Sequence, residues 1–186
     1  MRAFARRHKL PLAIFVVALL VRVLYLLAYS RSPLFHTHVA DALYHEQWAR
    51  RIVEGDIFSL RMDGVLYKAP LYPYFLALIY GLSGVGSFVP MLVQVVMMAA
   101  SCVLLFLVAR KTLGEAAAGL GALIFSFYFP SIYFSTEMEI PALAIFLTLL
   151  SYYLLIREGG WCSLLGSALV LGLSLLALPS NVVLLP

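Results

Sequence analysis

The chain has 186 residues, of which 63% are hydrophobic and only 12% are charged, and its mean hydropathy is +0.99. A soluble domain holds roughly 45–50% apolar and about 25% charged residues, so an aqueous domain of any size is excluded. The net charge of +4 does not indicate nucleic-acid binding, because the basic residues stand at the ends of apolar runs, where membrane topology places them. The sequence therefore predicts an all-α integral membrane protein.

The first predicted span follows a basic N-terminal segment, MRAFARRHK. The apolar run over residues 10–29 matches the ~20 residues that a spanning helix needs and exceeds the roughly 7–15 residues of a signal peptide's apolar core. We expect an uncleaved span with its N-terminus in the cytoplasm, by the positive-inside rule. Arg22 lies within this span, and either a structural pairing or a functional contact would explain a charge there.

Residues 36–74 carry most of the polar and charged side chains outside the two ends of the chain. Residues 39–54 predict an amphipathic surface helix that stops at Gly55. Its apolar side holds positions 39, 43, 44, 48 and 52, and its polar side holds Asp41, His45, Glu46, Arg50 and Glu54. Residues 56–67 predict an irregular loop with a turn at Asp63-Gly64.

The apolar run over residues 69–82 allows two topologies. Prolines break its start and glycines its end, and its length suits an interfacial or re-entrant helix better than a full span. If the run crossed the membrane, Arg110 and Lys111 would lie outside. If it rests on the outer surface, these residues and Arg157 lie in the cytoplasm. We prefer the second topology because it places all the basic span ends on the cytoplasmic side.

The predicted fold is an N-terminal transmembrane module over residues 1–186, with about five spans and two juxtamembrane helices in the first outer loop. The spans lie near residues 10–29, 88–109, 116–134, 140–156 and 161–178, and the outer loop, 30–87, holds the surface helices near 39–54 and 69–82. The sequence ends just past the fifth span without a polar tail. We therefore expect later spans and a C-terminal domain to be missing.

Three polar sites in the predicted outer region could carry chemistry. Asp41 could take a proton from an acceptor hydroxyl, although a carboxylate in the first turn of a helix also complements the helix dipole. Lys68 could bind a lipid phosphate as a point charge, or it could simply extend to the headgroups. Glu137 and Glu139 could orient a substrate, or they could belong to a helix start before Pro141.

The sequence indicates neither a metal site nor a cofactor. His36 and His38 form a weak metal signal, and Cys102 and Cys162 lie in apolar runs, where they define no disulfide framework. The segment GLSGVGS lacks the preceding strand that a nucleotide-binding loop requires. A divalent metal is compatible with the sequence but is not indicated by it.

Four segments together resemble a known family. They are the first span after its basic N-terminus, ADALYHEQWARRIVEGD, YKAPLYPYFLALIYGLSGVG and PSIYFSTEMEIPALAIFLTLLSYYLL, and they cover nearly all of the chain. The chain resembles the N-terminal part of the GT-C glycosyltransferases. Within them it is most similar to the bacterial members of the dolichyl-phosphate-mannose–protein mannosyltransferase family, relatives of the lipid A aminoarabinose transferase.

The resemblance implies an inverting transfer of a sugar from a polyprenyl-phosphate carrier to a protein, lipid or glycan acceptor, on the outer (periplasmic) side of the inner cell membrane. Asp41 matches the family's catalytic acidic position, and Lys68 matches the lysine that contacts the carrier's phosphate. Glu137 matches a second acidic position at the outer end of a later span. The further candidate substrate-binding residues are Tyr44, His45 and Glu139.

Two departures from the family pattern and the length of the chain qualify this function. Ala42 stands where the family often has a second carboxylate, and Leu178 stands where it often has the arginine of an Arg-Pro-Asn-like signature. Because later spans are expected to complete the acceptor site, we expect this fragment alone to be inactive. The alternatives are a lipid-linked-sugar transporter, a structural subunit, or an oligosaccharyltransferase-like enzyme, against which the missing Asp-x-Asp pair in the first loop argues.

Overall fold

The computed structural model describes residues 2–58 and 68–184, and within these ranges every regular element is helical. The predicted turn at Asp63-Gly64 and most of the loop around it lie outside the described residues. The seven α-helices of the described part are α1 (Arg2–Tyr29), α2 (Ala40–Val53), α3 (Leu71–Ser83), α4 (Phe88–Phe127), α5 (Phe129–Tyr133), α6 (Pro141–Ile156) and α7 (Gly160–Ala177). Short 3-10 turns cover Pro33–His36 and Pro179–Leu184.

Three helices of the described chain are long and apolar enough to cross a membrane. They are the part of α1 from Lys9 to Tyr29, α4 and α7, while α3 and α6 are apolar but shorter. In a bilayer the backbone must satisfy its own hydrogen bonds, which a helix does and an irregular segment does not. The fold is therefore that of a multi-pass, all-helical membrane protein.

The long helix α4 reverses direction at Gly114, whose φ of 81° and ψ of 169° are not helical. Cys102 before this glycine packs in one buried cluster with Ala122 after it. In a straight helix, with a rise of about 1.5 Å per residue, these two residues would lie about 30 Å apart. The two halves of α4 must therefore run antiparallel, and a glycine at positive φ allows the reversal without a clash from a side chain.

The run predicted as one span over residues 116–134 is divided in the structure. Helix α4 ends at Phe127, and the short α5 begins at Phe129 after an extended residue, Tyr128. Pro130 lies in the first turn of α5, where its missing N–H costs nothing, whereas in a continuous helix it would break the hydrogen-bond pattern. The proline thus starts a new helix instead of continuing the old one.

Helix α2 has a different buried face from the predicted one. His45, predicted on the polar side, is only 1% exposed, and it is buried together with Ala42, Trp48 and Ala49. Val39, predicted on the apolar side, is 68% exposed. Because α2 packs mainly against α3, the face that it buries is set by that partner and not by the most apolar stripe of its own sequence.

The two ends of the helical bundle differ in charge. At one end, which we call the basic end, Lys111 donates to the carbonyl oxygen of Ile156, and Leu10 packs near Ala109. The basic end therefore brings together Lys9, Arg110, Lys111 and Arg157. At the other end, the acidic end, lie the loops that follow α1, precede α4 and connect α5 to α6.

Helix α3 both begins and ends at the acidic end. Near its start, the Tyr72 hydroxyl donates to Gln94 in the first turns of α4 at 2.5 Å, and near its end the Tyr80 hydroxyl lies 3.6 Å from the sulfur of Met138. The segment that contains α2 and α3 is closed at its two ends by a contact between His38 and Ser87, whose side chains are 2.8 Å apart. Helix α3 therefore stays at the end of the bundle where it started.

Arg22 is fully buried in α1, and its two terminal nitrogens donate to groups at the end of α4 and the start of α5. Its guanidinium donates to the carbonyl oxygens of Phe125 and Ser126 at 3.3 and 3.2 Å and to the Ser131 hydroxyl at 2.7 Å. The last carbonyls of a helix lack intrahelical partners and carry the negative end of the helix dipole. Of the two explanations left open by the sequence, a structural pairing is the one that the contacts fit.

Candidate active site

The acidic end holds an ion pair between Asp41 and Lys68. Asp41 lies in the first turn of α2, and Lys68 lies three residues before the start of α3. The Lys68 side chain is only 12% exposed, whereas that of Asp41 is 62% exposed. The structure therefore brings together the two residues that the sequence singled out first, with the cation inside and the carboxylate facing outward.

The aromatic ring of Tyr44 also contacts the ammonium group of Lys68. The Nζ of Lys68 lies 5.3 Å from the centroid of the Tyr44 ring, within the range of a cation–π interaction. Tyr44 follows Asp41 by three residues, so both side chains leave α2 on neighbouring positions of one face. The predicted substrate-binding residue Tyr44 is thus part of the Lys68 environment.

The residue before Asp41 has an unusual backbone conformation. Ala40 has a φ of 49°, in the left-handed region that residues other than glycine seldom adopt because the Cβ approaches the following carbonyl. Such conformations cost free energy and occur preferentially at functional sites. This strained residue is the immediate neighbour of Asp41 at the start of α2.

The charges of the site favour an ionised aspartate beside a neutral histidine. The hydrogen bond with Lys68 lowers the pKa of Asp41, and this outweighs the opposing effect of partial burial. Burial lowers the pKa of His45 to about 4, with a further contribution from the positive charge of Lys68. His45 also packs its edge against the Tyr72 ring, with centroids 5.0 Å apart. At neutral pH the site therefore has a carboxylate, an ammonium group and an uncharged imidazole.

Glu139 lies in the electrostatic field of the ion pair. Burial raises the pKa of Glu139, the negative charge of Asp41 raises it further, and the positive charge of Lys68 lowers it. The side chain is partly buried on the loop between α5 and α6. Of the two glutamates in this loop, Glu139 is the one whose pKa is affected by the charges of both members of the pair.

Glu137 faces two tyrosine hydroxyls. Burial raises its pKa, while hydrogen bonds from Tyr133 and Tyr29 act in the opposite direction and the charge of Glu139 adds to the increase. The two glutamates therefore have different surroundings: Glu139 faces the ion pair, and Glu137 faces the end of α1 and α5.

The predicted helix start is present, because α6 begins at Pro141 with the proline in its first turn, but no side chain caps it. The residue before α6, Ile140, makes no side-chain cap. The hydroxyls of Ser135 and Thr136 donate backward, to the carbonyl oxygens of Ile132 and Tyr133. Neither glutamate is used to start α6, so both carboxylates remain available to the acidic end.

Gln94, which is not among the residues predicted from the sequence, joins the elements of the site. This fully buried amide donates to the carbonyl oxygen of Glu137 at 2.6 Å and to that of Ser135 at 3.4 Å, and it accepts from the Tyr72 hydroxyl. The signal in the sequence was a lone amide in an apolar run, because polar side chains inside membrane spans are costly and usually have a defined partner.

Metal-binding residues are not grouped in the described part of the chain. Within residues 2–58 and 68–184, no three histidine, cysteine or acidic side chains are close enough to hold a metal ion. His38, half of the weak histidine signal, pairs with Ser87. Cys102 is buried and Cys162 is exposed, and both are free thiols.

The apolar helices and the charged cluster at one end define a multi-pass membrane protein with a polar site at one face of the bundle. The family model described as dolichyl-phosphate-mannose-protein mannosyltransferase matches residues 67–186, more than half of the chain. The chain therefore belongs to this family, which supports a membrane glycosyltransferase. No curated protein and no solved structure matches the chain.

The matched range divides the candidate site. Lys68, Glu137 and Glu139 lie inside it, whereas α2, with Asp41, Tyr44 and His45, precedes it. The family match therefore covers the lysine and the glutamates, and the link to Asp41 rests on its ion pair with Lys68.

Proposed function

We propose that the full-length protein transfers a sugar from a polyprenyl-phosphate carrier to a protein, lipid or glycan acceptor at the acidic end. The observation that carries the proposal is the ion pair between Asp41 and Lys68, because it joins a base to a phosphate-binding cation across 27 residues of sequence. Membership in a mannosyltransferase family supports a lipid-linked donor. The likeness to bacterial aminoarabinose-transferase relatives supports the phosphate role of the lysine.

In the proposed reaction the acceptor oxygen attacks the anomeric carbon of the sugar. The new carbon–oxygen bond forms as the bond from that carbon to the phosphate oxygen breaks, with inversion. The acceptor's proton passes to the Asp41 carboxylate, and the electron pair of the broken bond stays on the polyprenyl phosphate next to Lys68. The phosphate is already a good leaving group, so positioning and charge stabilisation are what the enzyme must add.

The ion pair links substrate binding to the strength of the base. Without donor, Lys68 lowers the pKa of Asp41 and makes it a weak proton acceptor. A phosphate that engages Lys68 competes with Asp41 for the ammonium group, which lets the pKa of the aspartate rise towards its ordinary value. Asp41 thus becomes a better base only when the donor is in place. Glu139 and Glu137 orient the sugar or the acceptor, and Tyr44 and His45 complete the lining of the substrate-binding site.

The proposed orientation places the acidic end on the outer side of the membrane and the N-terminus in the cytoplasm. It is supported by the grouping of Lys9, Arg110, Lys111 and Arg157 at the opposite end, as the positive-inside rule requires. We propose five spans, with α4 counted as two, and α2 and α3 as juxtamembrane helices. The 13 residues of α3 measure about 20 Å, less than the ~30 Å of the hydrocarbon core.

The test is the Asp41→Asn variant of the full-length protein in a transfer assay with a radiolabelled polyprenyl-phosphate sugar. We expect transfer to fall by about 10²–10⁴-fold, the usual contribution of a general base, with normal membrane insertion. The matched control is Glu54→Gln, at an exposed carboxylate that follows the same helix, and it should retain full activity. Full transfer by Asp41→Asn would refute the proposed base.

The non-enzymatic alternative, a transporter or structural subunit, makes an opposite prediction. A transporter places charges in the middle of its spans, and the charge found within α1, Arg22, is already paired with helix-end carbonyls. Movement of the lipid-linked sugar across vesicle membranes, without transfer to an acceptor, would favour that alternative.

A further inference from the structure

Gln94 connects two parts of the acidic end. One part is the pair of helices α2 and α3, of which α2 carries Asp41, and the other is the loop between α5 and α6, which carries Glu137 and Glu139. His45 on α2 packs against Tyr72 on α3, the Tyr72 hydroxyl donates to Gln94 on α4, and Gln94 donates to the backbone of Glu137. Every one of these side chains is at most 1% exposed. A continuous buried path therefore runs between the two halves of the acidic end.

The chemistry of the partners fixes the orientation of the amide. The carbonyl oxygens of Ser135 and Glu137 can only accept hydrogen bonds, so the NH₂ group of Gln94 must face the loop. Its oxygen then faces the Tyr72 hydroxyl, which donates. Since a buried polar group without a partner is unfavourable, the loop and α3 each restrict where the other can lie.

Other buried polar residues of the same helix behave differently. Ser101 and Cys102 are also fully buried in α4, and they donate to the carbonyl oxygens of Met97 and Met98, one turn earlier in their own helix. The Ser101 hydroxyl is thus satisfied within its own helix. Gln94 instead binds two other segments, one of which bears a candidate site carboxylate.

We propose that Gln94, with Tyr72, is a positioning residue that fixes the loop bearing Glu137 and Glu139 relative to Asp41 and Lys68. Gln94 touches no substrate in this proposal and acts through the backbone at position 137. The proposal rests on the proposed function insofar as it concerns catalysis. Its structural part, the restraint of the loop, is independent of any activity.

The structural part is tested by hydrogen exchange on the detergent-solubilised full-length protein. In Gln94→Met, a substitution of similar length without hydrogen bonds, we expect the backbone amides of residues 134–140 to exchange at least about tenfold faster, with α4 unchanged. The matched control, Ser101→Ala, removes a buried hydroxyl from the same helix and should leave that loop as protected as in the wild type. Equal protection of the loop in both variants would overturn the proposal.

The catalytic part is tested by steady-state kinetics of the same variants. Displacement of the glutamates should lower kcat by about 10- to 100-fold, while the KM for the lipid-linked donor stays constant because Lys68 is untouched. A residue that only stabilises the fold would reduce the amount of active protein and leave kcat per folded molecule unchanged. Unchanged kcat in a variant with a loosened loop would overturn the positioning role.

A second variant covers the case in which Gln94→Met does not insert. Tyr72→Phe removes a single hydroxyl from α3 and keeps the aromatic contact with His45, and we expect it to raise exchange of the same loop and to lower kcat in the same direction. If the wild type transfers no sugar, the proposed function fails, and the exchange measurement alone still decides whether Gln94 restrains the loop.

Discussion

Two buried cations of this protein, Arg22 and Lys68, differ in what surrounds them. Arg22 has no exposed surface, and its guanidinium is shared among carbonyl oxygens and a hydroxyl at the end of α4 and the start of α5. The Lys68 side chain is 12% exposed, and its partner, Asp41, is an exposed carboxylate. Because the partner of Lys68 is accessible to a ligand and the partners of Arg22 are not, we propose a functional role for Lys68 and a structural one for Arg22.

The largest expected effect concerns Lys68. In Lys68→Met we expect sugar transfer to fall by about 10²–10³-fold, as when one donor to a developing negative charge is removed, with little change in the temperature of unfolding. Transfer assays and thermal unfolding of the full-length protein measure both. Lys9→Met removes an exposed lysine at the basic end and serves as the control. If Lys68→Met unfolded the protein but left the activity of the folded fraction intact, Lys68 would have only a structural role, as Arg22 does.

For Arg22 we expect the opposite result, a loss of stability with little loss of activity. Arg22→Met removes the buried bonds to the carbonyl oxygen of Ser126 and to the Ser131 hydroxyl, and we expect a loss of about 3 kcal/mol in the free energy of unfolding. Activity per folded molecule should be nearly unchanged. Denaturant unfolding in detergent measures the loss, and Arg157→Met, at an exposed arginine of the basic end, should show none. A strong loss of kcat at normal stability would assign Arg22 to the site after all.

The smallest expected effect is a pH dependence from His45. Its folded pKa of about 4 lies below the ordinary value of about 6.5, so between these values the unfolded chain binds a proton that the folded chain does not. The stability contribution of neutral His45 is therefore full above pH 6.5 and falls as the pH drops towards 4. We expect the decline due to His45 to amount to about 2 kcal/mol by pH 5 and to be lost in His45→Phe, while the part due to His38, whose pKa burial also lowers, remains.

Unfolding curves of the detergent-solubilised protein at several pH values measure this decline. His36→Phe, which replaces an exposed histidine, is the control and should keep the decline of the wild type. An identical pH dependence in wild type and His45→Phe would show that His45 is not neutralised by burial.

The parts of the fold that depend on local pattern could be predicted from the sequence. The first span, the amphipathic α2 and the proximity of Asp41 to Lys68 follow from apolar run length, helical spacing and the grouping of charges in one outer segment. The family assignment is confirmed at the level of the mannosyltransferase family. The bacterial subgroup stays a prediction, and so do the roles of the candidate site residues Asp41, Tyr44, His45, Lys68, Glu137 and Glu139.

The parts that depend on partners distant in sequence could not be predicted. The buried face of α2 is chosen by α3, the charge of Arg22 is satisfied by residues more than 100 positions away, and the Gln94 amide is aligned by segments on both sides of it in the chain. The hydrophobic periodicity of a helix predicts which of its faces is buried only when the apolar stripe is wide. In α2 a histidine that neutralises on burial lies on the packed face, and hydropathy alone treats such a residue as polar.

The contact between His38 and Ser87 has a consequence for how this architecture can vary. Because His38 and Ser87 touch, the helices on either side of them, α1 and α4, keep the same spacing whatever length of polypeptide lies between the two residues. The entropy of closing a loop grows by only about 0.6 kcal/mol for each doubling of its length. The segment between His38 and Ser87 can thus be lengthened, shortened or exchanged for another while the packing of α1 against α4 stays as it is.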